Sequence, residues 1–130
     1  MGAVTTELTD EGVLAANAAF YQALEGGDLA AMDALWASGA EAVCIHPGRT
    51  PLCGYDDVHR SWAAIFGAGG NPQVIVTDEK VTRRGPVAWV SATENMLSGG
   101  QTAVATAINV FEHDGQRWRM LVHHASPILR

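Results

Sequence analysis

The residues best suited to chemistry lie in Ala42-Val43-Cys44-Ile45-His46-Pro47-Gly48, closed by Pro51-Leu52-Cys53-Gly54. Proline holds the residue before it in extended geometry, so a short apolar strand, Ala42 to Ile45, is expected to end in a histidine with a fixed backbone. Imidazole has an unperturbed pKa near ~6.5 that burial or a neighbour readily tunes, which suits proton transfer at neutral pH. Alternation along a strand puts Cys44 and His46 on one face. Same-face neighbours sit roughly 6–7 Å apart, so a hydrogen-bonded Cys–His nucleophile is not expected. Taken locally, the stretch reads first as a structural histidine.

The elements around it follow from local signals. Thr9-Asp10-Glu11 marks a helix start, and that helix carries Val13, Leu14, Ala16, Asn17, Phe20, Tyr21 and Leu24 to Gly26-Gly27. Asp28 caps a second helix, Leu29 to Trp36. The strand to His46 follows. A third helix starts after Gly54, with Asp56 and Asp57 in its first turn and Val58, Trp62, Ile65 and Phe66 on one stripe. Gly67-Ala68-Gly69-Gly70-Asn71-Pro72 breaks the helical pattern. Four strands are predicted beyond it: Val74 to Thr77 with continuation through Val81, Val87 to Leu97, Thr102 to His113, and Trp118 to Ser126. Asp114-Gly115 is a hairpin signal. Helices first and an antiparallel meander after make an α+β plan in a single domain.

Composition narrows the function classes. The 130 residues are 48% hydrophobic and 17% charged, with a net charge of −6 and no basic run. Nucleic acid and anionic membranes are therefore not expected partners. No apolar run approaches the ~20 residues of a membrane span, and Met1 to Asp10 does not read as a signal peptide, so a cytoplasmic location is expected. Cys44 and Cys53 are then free thiols. Nucleotide, flavin and metal signatures are missing, so no cofactor is expected. The third and fourth strands carry apolar residues on both faces. A homodimer is the simplest cover for the second face, through Val90, Ile108, Met120, Val122 and His124.

The chain resembles the SnoaL-like, nuclear transport factor two-like superfamily over about Thr9 to Pro127. The resemblance rests on Phe20-Tyr21-x-Ala-Leu-x-x-Gly27-Asp28-x-x-Ala-Met32, Leu35-Trp36, Cys44-Ile45-His46-Pro47-Gly48 and Leu52-x-Gly54. Further along it rests on Ser61-Trp62-x-x-Ile65-Phe66, Asn109-Val110-Phe111, Asp114-Gly115-x-x-Trp118 and His123-His124-Ala125-Ser126. It implies a cone: a curved antiparallel sheet wrapped around three N-terminal helices, with a pocket inside and a dimer interface on the outer sheet face. Members include ketosteroid isomerase, polyketide cyclases, dehydratases, limonene epoxide hydrolase, a kinase association domain and plain binding proteins, so the fold leaves the activity open.

Similarity to ketosteroid isomerase implies the site. Its base position, before a proline, matches His46. Its oxyanion-hole tyrosine matches Phe20, with Tyr21 one step round the helix, and its second donor matches Ala107. The loss of both donors speaks against steroid isomerase chemistry, and the epoxide hydrolase constellation is not visible. The same comparison implies His123 as an acid partner and Asn109 as a holder of substrate oxygen. It turns Phe20, Tyr21, Cys44, Trp62, Phe66, Trp89, Ser91, Thr93, Asn95, Phe111, Leu121 and Ala125 toward the ligand, and His124 outward. A one-residue register change would exchange His123 and His124. A His46–His123 metal site lacks an inward carboxylate. His59 and His113 read as surface residues. Arginine is missing at the matching inward positions Ser91, Asn109 and Ala125, so the ligand is expected to be neutral or weakly acidic. The resulting expectation is a cofactor-independent isomerase or lyase. It would use His46 as general acid/base to isomerise, dehydrate or cyclise a small hydrophobic, polyketide- or terpenoid-like substrate. The alternative is a non-catalytic ligand-binding or accessory protein.

Overall fold

The computed structural model describes residues 8–129. Helix α1 (Asp10–Gly26) starts at Thr9, whose hydroxyl accepts the Gly12 N–H at 3.0 Å, and stops at Gly27 in the left-handed conformation. This is the pattern that capping residues dictate. The elements α2 (Leu29–Leu35), β1 (Val43–Ile45), β2 (Leu52–Cys53) and α3 (Tyr55–Ala68) follow, and then β3 (Gln73–Arg84), β4 (Val87–Ser98), β5 (Gln101–His113) and β6 (Trp118–Pro127). The helices match the expected segments closely. Strand β3 is longer than expected, because a bulge at Asp78-Glu79 lets it resume pairing with β4 at Lys80.

The six strands form one curved, open sheet in the order β2-β1-β6-β5-β4-β3. The sheet is mixed rather than purely antiparallel, since β1 runs parallel to β6 and sets Cys44 beside His123. Its concave face closes on the helices. Phe20, Met32, Trp36, Cys44, Val58, Trp62, Val90, Phe111 and Met120 are buried together there. Among the described residues no helix is long and apolar enough to cross a membrane.

Two strands face differently from the expectation. On β4 the concave side carries Ala88, Val90, Ala92 and Glu94, all buried, so Trp89, Ser91, Thr93 and Asn95 lie on the convex side and not toward a ligand. The cause is the pairing of Val90 with Asn109 and of Ala92 with Ala107: partners directly across a ladder share a face. On β6 the register shifts opposite Val110-Phe111, where Val110 pairs with Val122 and Phe111 with Met120. The extra residue, Leu121, is left half-buried at a bulge instead of pointing inward. Trp118 and Met120 therefore share the concave face with His123 and Ala125. Val90 and Met120 are fully buried and cannot belong to an outer contact face. Of the residues expected there, Ile108, Val122 and His124 do lie on the convex side.

Candidate functional site

Strand β1 ends where the sequence says it should. His46-Pro47-Gly48-Arg49 forms a tight turn closed by the Arg49 N–H on the His46 carbonyl at 3.0 Å, with Gly48 at φ +75°. Proline second and a positive-φ glycine third is the type II arrangement. The turn swings the His46 ring against α3, where its Nε2 lies 2.7 Å from Ser61 Oγ. Its edge meets the Trp62 ring at a centroid distance of 4.9 Å. Burial, and then the Arg49 charge, push the His46 pKa below its ordinary value, so the ring is neutral at pH 7. In the neutral tautomer whose proton is on Nδ1, Nε2 accepts a hydrogen bond from the Ser61 hydroxyl.

Cys44 Sγ also approaches His46 Nε2, at 3.7 Å. Strand spacing alone puts this pair out of reach. His46 lies just beyond the strand, and its side chain folds back. Burial raises the Cys44 pKa to about 12, so it stays a thiol and not an activated nucleophile.

A cavity of ≈ 710 Å³ opens beside His46. One wall is the turn, with His46, Pro47, Arg49 and Thr50, continued by Leu52 of β2. The other is the α3 stripe Asp57, Arg60, Ser61, Ala64 and Ile65, residues three and four apart that share a helix face. Arg60 pairs with Asp57 across one turn. The same two side chains also line a second cavity of ≈ 400 Å³ beside Cys53 and Tyr55, so this ion pair stands between the two spaces. Arg49, Arg60 and Ser61 were not expected as pocket residues. The proline-glycine turn signal was present for Arg49, and the helical spacing from Asp57 was present for Ser61.

Aromatic rings pack against one another inside the cone. Phe20 meets Tyr21, Trp62 and His123 at ring distances of 5.0, 5.7 and 4.7 Å. Phe20, Tyr21, Cys44, Trp62, Phe111, Leu121 and Ala125, together with half-buried Phe66, do not line the cavity at His46. Among the described residues, the buried Trp62 Nε1 has no hydrogen-bond partner.

Within that interior runs a directional hydrogen-bond network. The Asn109 side-chain amide donates to Asn17 Oδ1 at 2.8 Å and to the Tyr21 hydroxyl at 3.1 Å. Tyr21 donates onward to Glu94 Oε2 at 2.7 Å, and Asn17 donates to Glu79 Oε2 at 2.9 Å. Asn109 Oδ1 faces His123 Nδ1 at 2.6 Å; because the oxygen can only accept, His123 carries its proton on Nδ1. Burial first, and then His46 and His124, lower the His123 pKa to about 3. Burial raises Glu94, an effect its Tyr21 hydrogen bond offsets only in part, and Tyr21 is raised by burial and by Glu94. His123, not His124, is the buried imidazole. It does not line the cavity, and its ring lies 6.3 Å from that of Trp62. His46, His123 and Asn109 therefore do not converge on one open space. Asn17 and Glu94 were missed in the sequence; Glu94 alternates with Ala92 and Val90, a pattern that assigns it to the core face.

His59 pairs with Asp33 at 2.7 Å and ties α3 to α2, and His113 caps the last hairpin by accepting the Gly115 N–H. Among the described residues no three His, Cys, Asp or Glu side chains gather as a metal-binding group.

Solved structures and curated proteins similar to this chain fit the geometry. A candidate dehydratase of the NTF2-like family from Streptomyces avermitilis is 38% identical, with a TM-score of 0.87 over 92% of this chain and 96% of that one. A candidate calcium/calmodulin-dependent protein kinase type II association domain from Thiobacillus denitrificans is 32% identical, with a TM-score of 0.84 over 99% of this chain and all of that one (100%). F-box protein SKIP8 of Arabidopsis thaliana is 29% identical over 123 residues, 93% of this chain and 52% of that protein. The chain thus spans about half the length of that curated relative. The profile of the SnoaL-like domain matches residues 13–130, and with it the cone, the histidine before the proline and the paired α3 wall come under one heading: the chain belongs to the SnoaL-like domain family.

Proposed function

We propose that the protein is a cofactor-independent acid–base catalyst, and that it dehydrates a small, largely apolar hydroxy compound in the cavity beside His46. The observation that carries this reading is the 2.7 Å pairing of His46 Nε2 with Ser61 Oγ on the cavity wall. The neutral imidazole takes a proton from carbon next to a carbonyl. Once Nε2 is protonated it can no longer accept from Ser61, so that hydroxyl turns and is free to donate to the developing substrate oxygen. The imidazolium then gives its proton to the departing hydroxyl group. A C–H and a C–O bond break, a C=C bond forms and water leaves, with no change of oxidation state in the protein. Returning the proton to another carbon instead gives isomerisation by the same two groups. Similarity to the Streptomyces candidate dehydratase favours the elimination. His123 and Asn109 then act by packing and hydrogen bonding, not at the reacting atoms.

A second reading is binding without turnover, favoured by similarity to the kinase association domain and the F-box protein. In either case a second copy of the chain is the proposed cover for the convex sheet face, where Ile75 and Ile108 are 49% and 38% exposed. The unpaired thiols of Cys44 and Cys53 suit the cytoplasm proposed as its location. The experiment is a dehydration assay of a panel of β-hydroxy carbonyl compounds with the wild type and His46→Gln. Loss of turnover in a folded variant supports catalysis. Equal turnover in both removes His46 from the mechanism, and none in either leaves the binding reading.

A further inference from the structure

We propose that the cavity beside His46 takes a carboxylate-bearing substrate, seated by Arg49 with its reacting carbon at His46; this rests on the acid–base reading above. The charges on the cavity wall do not balance. Arg60 is committed to Asp57, and Ser61, Ala64, Ile65, Leu52 and Pro47 carry no charge. Arg49 lines the same space and makes no ion pair among the described residues. An exposed cation with no ion pair among the described residues therefore lines the cavity, in a chain whose net charge is −6. A guanidinium presents a planar fork that fits a carboxylate with two parallel hydrogen bonds.

The turn fixes where the Arg49 side chain starts. The Arg49 backbone N–H is bound to the His46 carbonyl at 3.0 Å, so the cation and the base branch from one four-residue turn at the cavity rim. The apolar remainder of the wall, Leu52, Ala64 and Ile65, suits a short hydrocarbon chain. The expectation of a neutral or weakly acidic ligand rested on the strand positions Ser91, Asn109 and Ala125, none of which lines this cavity; a carboxylic acid lies at the acidic end of that expectation.

The arrangement also couples binding to basicity. The groups around His46 are Cys44 on β1, Arg49 on the turn, Asp57 and Arg60 on α3, and His123 on β6. Of these, Arg49 is the charge that depresses His46, and a bound carboxylate neutralises it. His46 then becomes a stronger base when the acid is seated.

The test compares butyrate with butyramide, which match in size and differ in charge, by calorimetry and by NMR titration of the His46 ring on the full chain. At low ionic strength butyrate is expected to bind about tenfold more tightly than the amide, about 1.4 kcal/mol, and to move the His46 titration to higher pH. Arg49→Gln should equalise the two ligands, and Arg49→Lys should keep part of the preference. Equal binding of acid and amide, binding of neither, or a preference that survives in Arg49→Gln overturns the proposal. His46→Gln should retain the butyrate preference. A protein that shows the preference but no turnover fails the acid–base reading alone. One that turns over neutral compounds without the preference fails this proposal alone.

Discussion

Asn109 Oδ1 and His123 Nδ1 lie 2.6 Å apart, and that contact fixes the tautomer of a buried ring. The two residues pair directly across β5 and β6, so the backbone register sets the side-chain bond. Asn109 is also the branch point from which Asn17 and Tyr21 receive their hydrogen bonds.

Asn109→Leu should therefore destabilise the fold well beyond the loss of one amide. It leaves the His123 Nδ1–H and Asn17 Oδ1 buried without partners, while Tyr21 still donates to Glu94. At about 1–3 kcal/mol for each orphaned group, the expected loss is about 2–6 kcal/mol. Urea melts of the variant and the wild type measure it. A change under about 1 kcal/mol would mean that the interior repacks around the gap.

The pH dependence of stability should be shallower where these groups oppose each other. Unfolded His123 binds a proton below 6.5 that the folded ring refuses until about 3, so this ring lowers stability as pH falls through that window. Folded Glu94 keeps its proton above its unfolded value of 4.5. The stability from this carboxyl is complete below 4.5 and is lost as pH rises through its folded pKa. Just above 4.5 the two slopes have opposite signs, and buried His46 adds to the His123 slope. Glu94→Gln keeps an acceptor for Tyr21 and removes one slope. The variant's stability should then climb with pH more steeply than that of the wild type just above 4.5, by up to about 1.4 kcal/mol per pH unit. Thermal melts at half-unit steps check it, and parallel curves for both proteins would count against the assignment.

In a turnover assay His46→Gln should cost about 10²–10⁴-fold, as loss of a general base does, with the melting temperature little changed. Ser61→Ala should cost less, since the base remains, and should lower kcat more than it raises KM. The acid limb of the rate profile should lie below pH 6.5, because burial and Arg49 depress His46.

The two thiols should react very differently. Cys53 is exposed and Cys44 buried, with the Cys44 pKa at about 12. Iodoacetamide at pH 8 should modify Cys53 alone in the native protein and both residues in denaturant. Mass spectrometry of timed samples reads the result. Rapid native labelling of Cys44 would show that the strand opens locally. Cys44→Ser should leave turnover nearly unchanged.

Sequence patterns carried the helices, the turn at Pro47 and the family, because caps, glycines and 3.6-residue spacing act locally. The position of His46 was legible for the same reason. The facing of Trp89, Ser91, Thr93 and Asn95 was not, although Ala88, Val90 and Ala92 mark the other side as core. Facing there depends on which residue of β5 pairs with which of β4, a long-range choice. The cavity was also hidden: it forms where a turn meets the side of α3, and neither segment alone describes the gap between them.

The bulge at Leu121 acts as a phase change in the alternation of β6. Before it, Trp118 and Met120 set the beat for a hydrophobic core; after it, His123 and Ala125 keep a different one, matched to Asn109 and Ala107. A strand in single phase could satisfy only one half. Pairing Leu121 into the ladder would carry one half across the sheet: either Trp118 and Met120 turn to the convex face, or Val122 replaces His123 against Asn109. Setting that one residue outside the ladder thus lets a single strand line the hydrophobic core and still deliver its histidine to the polar interior.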